Sequence, residues 1–135
     1  MDFGEQELIH SKIIRDADKL DNFRVKETEH FKNIFPGKYN PDTLEYEVIS
    51  DKIYEDILKH KCISITDRKT QIDFWIGIIA FIYDLNFDVS LKYIYEKNYV
   101  DILIDRIDYK NLDTKEKMEI IRRDAKEYLR NRIGR

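Results

Sequence analysis

The sequence predicts an all-α fold, an irregular bundle of about five to six helices. Glycine and proline are scarce, at four and two of 135 residues, while 42% of the residues are hydrophobic, a composition typical of an ordered, mainly helical protein. The longest apolar run, from Phe74 to Tyr83, suits a buried core helix and is far shorter than the roughly 20 residues of a membrane span. We expect one domain covering residues 1–135.

The first predicted helix covers residues 5 to about 31, either unbroken or interrupted between residues 24 and 27. At 100° per residue, one stripe of this helix is apolar and should be buried. A second stripe mixes carboxylates with aliphatic side chains and should face away from that core, toward another surface or molecule. The apolar stripe is Ile9, Ile13, Ala17, Leu20 and Phe23, and the mixed stripe is Ile14, Asp18, Asp21 and Val25.

The segment after the first helix has strong turn signals. Phe35-Pro36-Gly37 should stop any helix, and residues 38–42 should form a loop. Residues 44–48 alternate like a short strand, which predicts an extended loop or a minor hairpin with residues 62–65. Ser50 is the expected N-cap of a helix over residues 51–60.

The next helix contains the apolar run and should be covered on several sides. Thr66 or Asp67 is the expected cap at its start, and it should end near Asp84. Gly77 lies inside this helix and should permit the close approach of a neighbour.

Three further helices complete the predicted bundle. Two short ones cover residues 90–97 and 99–107, and Asn98 between them should adopt a left-handed conformation. The last helix follows a link at residues 111–112, and Asp113 with Glu116 has the spacing of a capping box.

Charge and cysteine content exclude several classes of protein. Charged residues make up 38% of the chain with a net charge of −3, which predicts a solvated surface and no nucleic-acid partner. The start of the chain has no signal-peptide core, and no segment is long enough to span a membrane. The single cysteine, Cys62, excludes an intrachain disulfide and fits a reducing compartment. The expected location is therefore cytoplasmic.

One string in the first helix, Asp16-Ala17-Asp18-Lys19-Leu20-Asp21, resembles the last signature element of the HD-domain superfamily of helical, metal-dependent phosphohydrolases. That family combines a His, a His-Asp doublet and a distant Asp in a helix of this kind. The resemblance implies that Asp18 is the last metal ligand and that Lys19 contacts substrate phosphate. Asp21, one turn further, is a second candidate metal ligand. The implied cofactor is a divalent cation such as manganese, magnesium, nickel or iron.

The upstream elements of that signature are missing from this sequence. None of the three histidines, His10, His30 and His60, is followed by Asp. His10 precedes Asp18 by about 12 Å along a helix, which is too far for one metal ion. The chain therefore resembles the C-terminal part of an HD domain. We expect it alone to hold no metal tightly and to have little or no phosphohydrolase activity, because too few ligands converge to activate a water.

Two classes of function follow from the sequence. The first is an HD-type phosphohydrolase of nucleotides or other phosphoesters, active when a complementary N-terminal segment is supplied. The second is a non-catalytic helical interaction or oligomerisation module that kept the scaffold and lost the site. In either class the stripe from Ile14 to Val25 and much of the apolar helix need a cover. We expect a homodimer or the missing N-terminal segment to provide it.

Overall fold

The computed structural model describes residues 3–35 and 39–134 and confirms the all-α fold. These residues form eight α-helices and two 3-10 segments, without a β-strand. The six predicted helices are all present, and two single-turn helices bring the number to eight. The α-helices are α1 (Phe3–Thr28), α2 (Phe31–Ile34), α3 (Pro41–Leu44), α4 (Asp51–Leu58), α5 (Gln71–Ile79), α6 (Asp88–Glu96), α7 (Tyr99–Asp105) and α8 (Leu112–Ile133), and the 3-10 segments are Ile65–Asp67 and Ala80–Asp84.

Helix α1 is unbroken and packs on α6 and α7. Phe23, near its C-terminal end, is buried and stacks on Tyr99 with ring centroids 6.0 Å apart. The prediction that one full stripe of α1 is buried is wrong. Leu20 is partly buried, whereas Ile9, Ile13 and Ala17 are exposed, because α6 and α7 cover only the C-terminal half of the helix.

The core is built around α5, as the apolar run predicted. The expectation that this helix needs a cover from outside the chain is wrong, because the other helices of the same chain bury it. The Trp75 indole donates a hydrogen bond to the Leu103 carbonyl oxygen at 2.8 Å, which joins α5 to α7. Helix α8 packs against α4, α6 and α7 and closes the other side. The fully buried side chains of this core include Ile53, Ile57, Ile72, Ile76, Ile79, Ile82, Leu91, Ile94, Leu103 and Ile104.

The start of α5 differs from the prediction. Residues 65–67 form a 3-10 turn, so neither Thr66 nor Asp67 is the N-cap; that role belongs to Thr70, in a reciprocal capping box with Asp73. The Asp73 carboxylate also accepts hydrogen bonds from the Ser50 backbone and hydroxyl at 2.9 and 2.5 Å. The first turns of α4 and α5 are thereby tied together.

Other local predictions have mixed outcomes. Asn98 has φ 59°, which confirms the left-handed turn before α7. Residues 44–48 form neither a strand nor a hairpin, because Leu44 closes α3 and a turn follows. Asn111, rather than Asp113, caps α8 by accepting from the Thr114 amide. The predicted stop at Pro36-Gly37 lies outside the described residues, and within the described part no helix is both long and apolar enough to cross a membrane.

Candidate functional site

The three aspartates of the Asp16–Asp21 string differ in their environments, and only Asp16 is buried. Its side chain is 3% exposed and points at the turn between the second 3-10 segment and α6. One carboxylate oxygen accepts from the Asn86 amide at 2.8 Å and from the Asn86 side chain at 3.0 Å. The other accepts from the Phe87 amide at 3.0 Å and the Ser90 hydroxyl at 2.7 Å. Asp16 therefore caps the N-terminus of α6 from another helix.

Two effects oppose each other in setting the pKa of Asp16. Burial raises that pKa, but the hydrogen bonds from Ser90, Asn86 and Phe87 stabilise the ionised carboxylate and together outweigh burial, so the pKa lies below its ordinary value of 3.8. A negative charge at the start of a helix is also favourable for the helix dipole. Asp16 is thus an ionised structural carboxylate.

Lys19, the residue that the resemblance assigns to substrate phosphate, contacts a carboxylate of its own chain. Its ammonium lies 2.8 Å from Asp84, and Arg15 lies 3.0 Å from the same oxygen. The Lys19 side chain is largely buried, whereas that of Arg15 is exposed. Asp84 ends the second 3-10 segment, so these two ion pairs fasten α1 to the same turn that Asp16 caps.

The two candidate metal ligands, Asp18 and Asp21, are both exposed. Asp21 forms an ion pair with Arg24 at 2.7 Å. Asp18 lies two residues from Asp16, which turns it about 200° around the helix and away from α6. Among residues 3–35 and 39–134, no group of three or more His, Cys, Asp or Glu side chains is arranged to hold a metal ion.

A groove of about 380 Å³ runs between α1 and the first turn of α6. We call it the α1–α6 groove and define it by Ile13, Ala17, Leu20, Phe87 and Val89. It is largely apolar, and the Val89 side chain is 75% exposed. Beyond the groove, α1 continues as a segment of mostly exposed side chains, residues 4–15, which we call the projecting segment.

Sequence reasoning missed Asp16, although a signal was present. The spacing of Ile9, Ile13, Leu20 and Phe23 leaves one place in the stripe, at i+3 from Ile13, which Asp16 occupies. A lone carboxylate within an apolar stripe indicates a buried acceptor that needs donors. The donors themselves, 70 and more residues away in sequence, left no local signal.

Comparisons with protein-family models, curated protein sequences and solved structures gave no match for this chain. The relation to HD domains therefore remains a prediction based on Asp16–Asp21.

Proposed function

We propose that this chain is a non-catalytic helical interaction module that pairs with a second copy of itself through the projecting segment of α1. One observation carries the proposal. Four aliphatic side chains of this segment remain about half exposed: Leu8 at 56%, Ile9 at 54%, Ile13 at 51% and Ile14 at 48%. Ile9 and Ile13 share one face of α1, and exposed apolar side chains that share a face are typical of an interaction site.

The positions of these side chains suit a second copy in antiparallel orientation. A two-fold axis at the level of Ser11, on the face of α1 that carries Ile9 and Ile13, exchanges these two positions, so each isoleucine meets an isoleucine of the other copy at its own level along the helix. An isologous pair thus matches apolar with apolar side chains on this face.

The α1–α6 groove extends the surface available to such a pair. It is continuous with the projecting segment through Ile13, and Phe87 and Val89 add apolar area from another element. Covering the exposed half of Ile9 and of Ile13 contributes roughly 1 kcal/mol apiece. Because both copies bury these side chains, the hydrophobic free energy gained offsets part of the entropy lost on association.

The second candidate function is the HD-type phosphohydrolase, and the exposure of Asp18 favours it. A carboxylate that faces away from its own chain can meet ligands supplied by a complementary segment, and Asp21 is one turn away. In that case Asp18 and Asp21 would supply oxygen ligands to manganese, magnesium, nickel or iron, cations suited to carboxylates and imidazoles. The bound metal would supply an activated water for phosphoester hydrolysis.

The pairing is tested by measuring molar mass in solution, using light scattering after size-exclusion chromatography. At tens of micromolar we expect a dimer for the wild type and a monomer for the double variant Ile9→Asp/Ile13→Asp. Both substituted positions are exposed, so circular dichroism should show an intact helical fold. The matched control, Leu112→Asp/Ile120→Asp, changes two exposed aliphatic residues of α8 and should remain dimeric.

A monomeric wild type would refute the self-pairing proposal, as would equal dissociation by the control variant. The second candidate is addressed with the same proteins. A melting temperature that rises with manganese in the wild type, and does not rise in Asp18→Ala, would favour the phosphohydrolase. For the chain alone we expect no such rise.

A further inference from the structure

A second cleft, of about 280 Å³, lies at the start of α5 and has no α1 residue in its lining. We call it the Arg68 cleft. Its apolar wall is formed by Phe35, Ile65 and Phe74, and its lining includes two consecutive cations, Arg68 and Lys69. Neither of the two candidate functions proposed above involves these residues.

The Arg68 guanidinium is held in a fixed position at this cleft. Its Nη2 donates a hydrogen bond to the Ile63 carbonyl oxygen at 3.0 Å. Its central carbon lies 5.3 Å from the centre of the Phe74 ring, within the range of a cation–π contact. The group also lies against the backbone of α5 at Gly77, where a Cβ would come within 2.5 Å of it. Gly77 thus permits the close approach that the sequence predicted.

The charge of Arg68 has no carboxylate partner among the described residues. Two acids close to Arg68 in sequence are engaged elsewhere. Asp73 accepts from Ser50 and from the backbone of residues 69 and 70, and Asp67 lies 3.9 Å from Lys52. By contrast, Arg122 on α8 pairs with three carboxylates.

Most of the donors of Arg68 are unused. A guanidinium carries five N–H donors in a planar fork. Within residues 3–35 and 39–134, only Nη2 has a hydrogen-bond acceptor, and the buried Nε has none. A fixed, partly desolvated guanidinium with free donors is pre-organised for a carboxylate or phosphate, which matches the fork with two parallel hydrogen bonds. Burial disfavours the charged form of Arg68 and so lowers its pKa. A bound anion would offset this cost of desolvation.

We infer that the Arg68 cleft is a binding site for a small organic anion, with its carboxylate or phosphoryl group on Arg68 and its apolar body against Phe74 and Ile65. Lys69, which is exposed beside it, adds a second positive charge at the cleft. The cleft volume is near the lower end of the range for ligand pockets, which limits the body of the ligand to about one ring. This site is independent of the pairing through α1.

The probes are benzoate and phenyl phosphate, with benzamide as the neutral analogue of the same shape. Binding to the isotope-labelled full chain is followed by amide and arginine Nε–H chemical shifts. We expect saturable shifts centred on Arg68 and the first turn of α5 with both anions, and at least tenfold weaker binding of benzamide. Arg68→Gln should weaken anion binding at least tenfold, whereas Arg123→Gln, on the exposed face of α8, should leave it unchanged.

A second variant covers the case in which Arg68→Gln does not fold. Gly77→Ala keeps every charge but moves the guanidinium, because the new methyl group would occupy its place, and it should weaken benzoate binding about fivefold or more. Equal binding of benzoate and benzamide, or anion binding that survives in Gly77→Ala and Arg68→Gln, would overturn the inference. An absence of saturable shifts for both anions would overturn it as well.

Discussion

Substitution of Asp16 tests the assignment of this residue as the cap that joins α1 to α6. In Asp16→Asn one oxygen remains an acceptor, but an amide nitrogen replaces the oxygen that accepts from Phe87 and Ser90. A hydrogen bond to a charged group contributes about 1.5–3 kcal/mol, and an orphaned buried donor costs about 1–3 kcal/mol. We therefore expect Asp16→Asn to lower the free energy of unfolding by about 2–3 kcal/mol. Asp16→Ala, which removes both acceptors, should lower it by about 3–5 kcal/mol.

The measurement is urea denaturation followed by circular dichroism. All variants are compared at one protein concentration, because self-association makes stability depend on concentration. The matched control is Asp18→Asn. It removes the same charge from an exposed side chain two residues further along α1, and it should change stability by less than about 0.5 kcal/mol. Equal stability of Asp16→Asn and Asp18→Asn would refute the capping role.

The lowered pKa of Asp16 also predicts how the stability difference between wild type and Asp16→Asn depends on pH. The pKa of Asp16 is lower in the folded chain than its ordinary value of 3.8. Its contribution is therefore fully present above the unfolded pKa and is lost as the pH falls through the lower, folded pKa. The difference between wild type and Asp16→Asn should be constant near neutral pH and shrink below about pH 4. A difference that instead grows toward low pH would contradict this assignment.

Two further predictions concern the core and the turn before α7. Trp75→Phe should lower the free energy of unfolding, measured by urea denaturation, by about 2–3 kcal/mol. The substitution leaves the Leu103 carbonyl without its indole donor and opens a small cavity. A loss below about 0.5 kcal/mol would contradict this explanation. Asn98→Ala should cost about 1 kcal/mol, because alanine resists the left-handed conformation, whereas Asn98→Gly should be close to neutral since the Asn98 side chain makes no capping hydrogen bond. Equal losses for the two would show that the backbone conformation is not the cause.

The sequence determined the elements that depend on local chemistry. The scarcity of glycine and proline, the run from Phe74 to Tyr83 and the left-handed Asn98 were enough to predict an all-α bundle and its central helix. Errors occurred where two local signals competed. Thr66, Asp67 and Thr70 are all adequate caps by residue type, and Thr70 is the one that forms a reciprocal capping box with Asp73, whose carboxylate is also held by Ser50.

The tertiary structure alone decided how α1 is used. Helical periodicity identifies which residues share a face, but it does not say how far along the helix a neighbour extends. Phe23 is therefore buried, while Ile9 and Ile13 of the same stripe are exposed. The six-residue string directed attention to Asp18, yet the buried carboxylate is Asp16. Its donors lie at residues 86, 87 and 90, and only folding brings the start of α6 within hydrogen-bonding distance of α1.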